Sequence, residues 1–228
     1  MTHFSYIMEK LIEGFGQTVS LFAITLILSL PLGLIFAVAS MSKFKPLKYL
    51  MKCIIWIIRG TPLILQIMFI QMLPNMVFKV GIAELSSKLN CMVKDVVFIF
   101  VIIAFTINYA CYFSEIFRAG IESVPKGQTE AGKVLGLSKN QIFMKVILMQ
   151  VVKRTVPPLS NEIITLVKDT ALASVAGVID LYNAASSAVN TLVILTPFLY
   201  ASIFYLIFNG ILTLLFNYVE KKLSYYKV

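Results

Sequence analysis

Histidine occurs once in this chain, at His3, and cysteine only at Cys53, Cys91 and Cys111. Three scattered cysteines make neither a disulfide framework nor a zinc site, and they read as small apolar residues. With no paired nucleophile and base and no ligand cluster, catalytic residues and metal ligands are expected to be absent. Charge is scarce too, at 14% of 228 residues, where a soluble domain carries about one quarter. The phosphate-cradling pattern Gly-x-x-x-x-Gly-Lys-Ser/Thr is missing. No internal repeat and no linker rich in Pro, Gly or Ser divides the chain, so one domain is expected.

What is present is apolar: 59% hydrophobic residues and a mean hydropathy of +0.87. A helix crosses a bilayer with about 20 residues, and candidate spans cover residues 19–41, 53–78 (interrupted by Arg59), 96–114, roughly 156–178 and roughly 196–219. The runs lack strict alternation, so helices are favoured over a barrel. The expected fold is all-α, a polytopic membrane protein of about five transmembrane helices. Residues 1–16 carry Phe4, Ile7, Met8, Leu11, Ile12 and Phe15 at helical spacing around Glu9, Lys10 and Glu13, as in an amphipathic helix lying in the outer interface. Residues 17–222 then form the transmembrane domain and 223–228 a tail. Ala37-Val38-Ala39 resembles a signal-peptide cleavage site, but the preceding run is too long and Glu9 and Glu13 spoil a basic leader. It reads as a retained span.

Lysine and arginine set the orientation. Lys43, Lys45, Lys48 and Lys52 follow the first span; Arg118, Lys126, Lys133, Lys139, Lys145, Lys153 and Arg154 follow the third; Lys221, Lys222 and Lys227 follow the last. All three groups fall in the cytoplasm if the N-terminus is outside. On the other side, Glu9, Glu13, Glu84 and Asp95 offset part of Lys10, Lys79, Lys88 and Lys94. The formal charge of +9 therefore reads as topology, with no need for nucleic acid.

Three polar places stand out. Arg59-Gly60-Thr61-Pro62 puts a charge, a flexible residue and a helix breaker inside an apolar run. It is either an interfacial anchor with Arg59 snorkelling or a packed bend near a gate. In the fourth span Glu162, Thr165 and Asp169 share a helical face by their spacing, accompanied by Asn161, Lys168 and Thr170. Ionisable groups in a span usually face a bundle interior or a water-filled path, so this face suggests a substrate path, to which Asn108 and Glu115 contribute. Lys168 serves equally well as a headgroup contact.

The third is the loop at residues 125–149. Pro125 suits the start of a helix, Gly136 a left-handed helix end, and Ser138 with Gln141 a capping box, with Leu137 and Ile142 as its hydrophobic staple. The pattern spells helix, sharp turn, new helix: a rigid elbow. An ordinary solvated helical loop is the bland alternative. Small Ala131 and Gly132 would let one side dock closely against another protein.

At these residues the chain resembles the permease subunits of polar amino-acid ATP-binding-cassette (ABC) importers, the type I fold family serving histidine, lysine/arginine/ornithine, glutamine, glutamate and cystine. The likeness is carried by Arg59-Gly60-Thr61-Pro62-Leu63, by Ser114 through Ile121, by Ser123 through Gln128, by Glu130-Ala131-Gly132 with Gly136-Leu137-Ser138, by Val146-Ile147-Leu148, and by Leu166 through Ser174. Gly132 and Met149 depart from the family pattern, where Ala and Pro are expected. The resemblance implies that Glu130, Ala131, Gly132, Gly136 and Leu137 form a cytoplasmic coupling helix docking on an ATPase. It implies as partners a second permease subunit, identical or related, an ABC ATPase dimer, a solute-binding protein outside, an amino-acid substrate and membrane lipid. The chain would bind no cofactor, ATP and Mg belonging to the ATPase, and would sit as a multi-pass protein in a bacterial cell membrane. An ion-coupled secondary transporter is the competing class, disfavoured because such folds often carry paired repeats. An intramembrane enzyme has no residues to work with.

Overall fold

The computed structural model describes residues 3–223, so Met1, Thr2 and nearly all of the expected tail lie outside the described residues. Its long elements are helices α1 (His3–Ser40), α5 (Val93–Glu122) and α10 (Thr196–Leu223), each long and apolar enough to cross a membrane. Helices α2 (Lys45–Arg59) and α3 (Leu63–Phe78) form a fourth span only if counted together, because a bend of 110° separates them. The remaining helices are α4 (Ile82–Lys88), α6 (Lys126–Val134), α7 (Lys139–Ile142), α8 (Leu148–Asp169) and α9 (Leu181–Leu192). No strand occurs among the described residues.

Three of the sequence expectations need correcting. Of the segment 1–16, the described residues 3–16 form no separate interfacial helix but the first turns of α1. Part of its apolar face is covered by protein: Ile7 and Leu11 pack against Leu181, Ala184, Ala185 and Ala201, while Phe4 and Ile12 stay exposed. Nothing at Gly16-Gln17 breaks the helix, and Gly14 lets α9 come close; a Cβ there would lie 2.7 Å from that of Ala184. The second span is not continuous, for reasons given below. The fourth is not one helix over residues 156–178: α8 ends at Asp169, tightens into a 3₁₀ turn over Thr170–Ala176 and stops at Gly177, whose φ of 87° is left-handed. Asp180 then caps α9, its carboxylate accepting the Asn183 and Tyr182 N–H groups at 3.0 and 3.3 Å, while Thr18 on α1 accepts the Leu181 N–H at 3.0 Å.

The core lies where α1, α3, α5 and α8 meet, around Leu21, Ile67, Phe105, Tyr109, Phe113 and Leu166. Close crossings use glycine. Gly33 seats α1 against α5, where a Cβ would fall 2.8 Å from that of Phe113, and Gly120 seats α5 against Thr155 of α8. Helix directions follow from such contacts. Glu13 and Gln17 share a cleft with Lys94 and Asp95 while Gly33 meets Phe113, so α1 and α5 run parallel. The ring pairs Phe4–Tyr200, Phe15–Phe204 and Phe22–Phe208 give α10 the same sense. With Gly120 near Thr155 and Tyr109 bonded to Asp169, α8 runs the opposite way. The C-terminal ends of α1, α5 and α10 therefore share one end of the bundle, and the elbow leaves from it.

Candidate functional site

The bend comes from local chemistry. Pro62, at φ −62° and ψ 136°, cannot continue α2 and starts α3 instead. The last carbonyls of α2 would be orphaned in an apolar setting, but Thr61 Oγ1 donates to the Ile57 carbonyl at 3.0 Å and Gln66 Nε2 donates to the Ile58 carbonyl at 2.7 Å. Gln66 Oε1 accepts from Asn108 Nδ2 at 3.0 Å, tying the bend to α5. Of the two readings of Arg59-Gly60-Thr61-Pro62, the quartet does form a bend, while Arg59 lies over the Tyr112 ring at 5.1 Å and 3.8 Å from Glu115.

Above that bend is a polar cavity of ≈ 290 Å³. Its wall includes Thr61, Pro62, Asn108, Glu162, Thr165 and Asp169, with Tyr109 and Tyr112. The spacing of Glu162, Thr165 and Asp169 along α8 thus brings all three to one surface. Asp169 is held in place, its Oδ2 accepting the Tyr109 hydroxyl at 2.7 Å; Glu162 forms no hydrogen bond or ion pair among the described residues. Paired on one side, unpaired on the other, the two carboxylates give the cavity hydrogen-bonding capacity that a polar solute needs on leaving water.

Two of the anticipated path residues lie elsewhere. Asn161 is exposed and lines neither this cavity nor its neighbour. Glu115 belongs to an adjoining cleft of ≈ 590 Å³ at the elbow end, where Arg118 holds it at 2.6 and 3.1 Å and also holds Glu122 at 2.6 Å. Tyr109, Tyr112, Gln66 and Arg118 were missed from the sequence. A signal existed for one: Asn108, Tyr112 and Glu115 lie at i, i+4 and i+7, one face of α5. Gln66 was a lone polar residue in an apolar run.

The elbow has the geometry its residues suggest. Helix α6 ends in two stacked bonds, Leu137 N–H to the Gly132 carbonyl at 3.0 Å and Gly136 N–H to the Lys133 carbonyl at 2.9 Å, with Gly136 at φ 73°. This is a glycine-terminated helix end. Ser138 and Gln141 bond each other's backbone N–H reciprocally at 3.3 and 2.8 Å. A π-turn over Phe143–Ile147 then leads into α8. Gly132 does not face outward as a docking surface: it is buried, and a Cβ would lie 2.7 Å from Ile142 Cγ1. Its smallness lets α6 and α7 pack on each other. Glu130 and Ala131 are exposed, and so are Val134 (87%) and Leu135 (77%) at the tip.

Comparison with known proteins gives the family and the fold. Residues 29–225 match the model of the family described as binding-protein-dependent transport system inner membrane component. The L-cystine transport system permease protein TcyB of Bacillus subtilis (strain 168) is 37% identical over 216 residues, covering 93% of this chain and 86% of that relative. The arginine ABC transporter permease protein ArtQ of Escherichia coli (strain K12) is 33% identical over 220 residues, covering 92% and 91%. Among solved structures, an amino acid ABC transporter crystallised with histidines superposes with a TM-score of 0.81 at 29% identity, covering 94% of each chain. The MetNI methionine ABC transporter in an inward-facing form shares the fold, with a TM-score of 0.70 at 17% identity over 95% and 97% of the two chains.

Proposed function

The chain belongs to the binding-protein-dependent transport system inner membrane components, and from that premise we propose how it works as the permease subunit of an amino-acid ABC importer. The observation that carries the reading is the polar cavity walled by Asn108, Glu162, Thr165 and Asp169 inside the helical bundle. A polar amino acid or cystine, delivered by an extracytoplasmic solute-binding protein, passes along this surface. Its ammonium group finds Glu162 and Asp169, and its polar atoms find Thr165 and Asn108. A second permease subunit completes the path.

The elbow supplies the drive. Glu130, Ala131 and the apolar tip at Val134 and Leu135 are exposed, whereas Gly132, Gly136 and Leu137 hold the elbow's shape. A separate ATPase dimer docks there, carrying the ATP and Mg, and its closure draws the elbows of the two permease subunits together. The bend at Arg59-Gly60-Thr61-Pro62 is the movable joint beside the cavity. The bundle end with the elbow also carries Lys43, Lys45, Lys48, Lys52, Lys221 and Lys222, which supports a cytoplasmic elbow and an external N-terminus in the bacterial cell membrane.

The test is reconstitution with an ABC ATPase and a solute-binding protein from the same organism. Uptake of L-cystine, L-glutamine or L-arginine into proteoliposomes is expected only with both partners and ATP. Uptake that follows an ion gradient without ATP would favour the secondary-transporter reading instead.

A further inference from the structure

Helix α2 carries a charge pattern that neither the cavity nor the elbow uses. No acidic residue occurs between Glu13 and Glu84, whereas Lys43, Lys45, Lys48, Lys52 and Arg59 all fall in that stretch. Lys45, Lys48, Lys52 and Trp56 follow at i, i+3, i+7 and i+11, one stripe along the helix. None of the three lysines enters an ion pair among the described residues. Met51 and Ile55 hold the buried side of the helix. Tyr49 is exposed beside the stripe, Trp56 is 76% exposed, and beyond them Leu50 and Ile57 put aliphatic surface outside as well. A cationic stripe edged by tryptophan, tyrosine and aliphatic side chains matches the boundary between lipid headgroups and acyl chains. An acidic protein surface would satisfy the lysines but leave Leu50 and Ile57 uncovered.

Placement points the same way. Helix α3 packs on the core through Leu63 and Ile67. Its 16 residues rise about 24 Å at 1.5 Å per residue, most of a hydrocarbon layer of about 30 Å. After a bend of 110°, α2 therefore lies across the bundle at the elbow end, not along it. Its last turns border a pocket of ≈ 250 Å³ lined by Lys52, Ile55, Trp56, Arg59, Glu115 and Arg118. Three cations and one carboxylate leave that pocket net positive, and none of Asn108, Glu162, Thr165 and Asp169 is on its wall.

We propose that the basic face of α2 binds anionic phospholipid in the leaflet at the elbow end, with Lys45, Lys48 and Lys52 taking the phosphate groups and Trp56 lying at the glycerol level. Each lysine near an anionic surface adds attraction that falls off within a Debye length. Helix α2 is one arm of the joint at Arg59-Gly60-Thr61-Pro62, so bound lipid holds that arm while α3 moves. Anionic lipid thereby raises ATP-driven uptake. That consequence rests on the import reading above; the binding does not.

Trp56 is the only tryptophan, so the site carries its own reporter. The full-length chain is reconstituted in phosphatidylcholine bilayers holding an equal mole fraction of brominated phosphatidylglycerol or brominated phosphatidylcholine. Trp56 fluorescence is expected to be quenched more by the anionic lipid, with a relative affinity of about fivefold or more, the scale of one lysine at an anionic surface. Raised salt narrows the difference. Replacing Lys45, Lys48 and Lys52 together by Gln brings the two lipids to equal quenching, while Lys221→Gln with Lys222→Gln leaves the preference unchanged. Should the triple variant fail to insert, Lys52→Gln alone is expected to lower the preference to a lesser degree. The measurement is repeated with the ATPase bound, as the difference between wild type and Trp56→Phe. Equal quenching by the two lipids, or equal loss in the Lys221 and Lys222 variant, overturns the lipid site. So does a preference that disappears when the ATPase assembles, since the face then belongs to the ATPase. A lipid preference in a complex that shows no ATP-driven uptake in any membrane keeps the lipid site and overturns the import reading.

Discussion

Asp169 and Tyr109 show how single side chains set the cavity. The Tyr109 hydroxyl donates to Asp169 at 2.7 Å, and a hydrogen bond to a charged group is worth about 1.5–3 kcal/mol. Tyr109→Phe keeps the ring in the core but frees the carboxylate to turn. The expected outcome is an uptake KM raised several-fold with the complex still assembling, read from initial uptake rates across substrate concentration. Gly136 is the other residue whose identity is dictated. At φ 73° a β-branched side chain is strained by about 1–2 kcal/mol or more, so Gly136→Val should lower the melting temperature of the complex and reduce co-purification of the ATPase. Both Gly136 and the Ser138–Gln141 capping box were legible in the sequence because their chemistry is local. Gly132 was legible only as small. That its smallness serves Ile142 depends on a contact ten residues away across a turn, which composition does not encode.

At the scale of elements, the bend between α2 and α3 is the informative case. The quartet Arg59-Gly60-Thr61-Pro62 announced an interruption, but not that Gln66 would fold back to bond the Ile58 carbonyl at 2.7 Å or that Asn108 would hold Gln66 at 3.0 Å. Gln66→Leu leaves the Ile58 carbonyl with only a long contact from the Thr61 hydroxyl, at 3.4 Å, at a cost of about 1–3 kcal/mol. A lowered melting temperature with partial recovery in Gln66→Glu, which restores no amide donor, would contradict this account; recovery in Gln66→Asn would not. Helix α8 was misjudged for a different reason. Hydropathy extended it to residue 178, whereas the chain tightens at Thr170, whose hydroxyl bonds the Val167 carbonyl at 2.7 Å, and turns at Gly177. Apolar residues continue through a 3₁₀ turn and a corner buried by protein, so hydropathy alone does not mark the end. The N-terminal turns of α1 were misplaced on the same grounds: an apolar helical face looks alike whether lipid or α9 and α10 cover it.

For the whole molecule, the parallel course of α1, α5 and α10 gathers the lysine-rich segments and the elbow at one end of the bundle. An introduced cysteine near Lys126 is expected to resist an impermeant thiol reagent added to intact cells, and one near Lys88 to react; the reverse pattern would overturn the orientation. Family membership, the all-helical fold and the presence of an elbow could be read from short motifs spread along the chain. The division of the polar residues between one cavity and an adjoining elbow-side cleft could not, since it depends on which of the polar residues of α5 and α8 face each other across the bundle. Glu115 and Asn161 carried the same sequence signal as Asn108 and Glu162, yet Glu115 is held in an ion-pair cluster by Arg118 and Asn161 is exposed. The most direct test of the central claim is ATP-driven amino-acid uptake by the reconstituted complex carrying Asp169→Asn or Glu162→Gln, with ATPase activity recorded in parallel. Loss of a carboxylate from the cavity is expected to lower uptake about tenfold or more for Asp169→Asn, whose carboxylate Tyr109 holds in place, and less for Glu162→Gln, with assembly and ATPase docking intact. Wild-type uptake in both variants would contradict the assignment of this cavity to the transported amino acid.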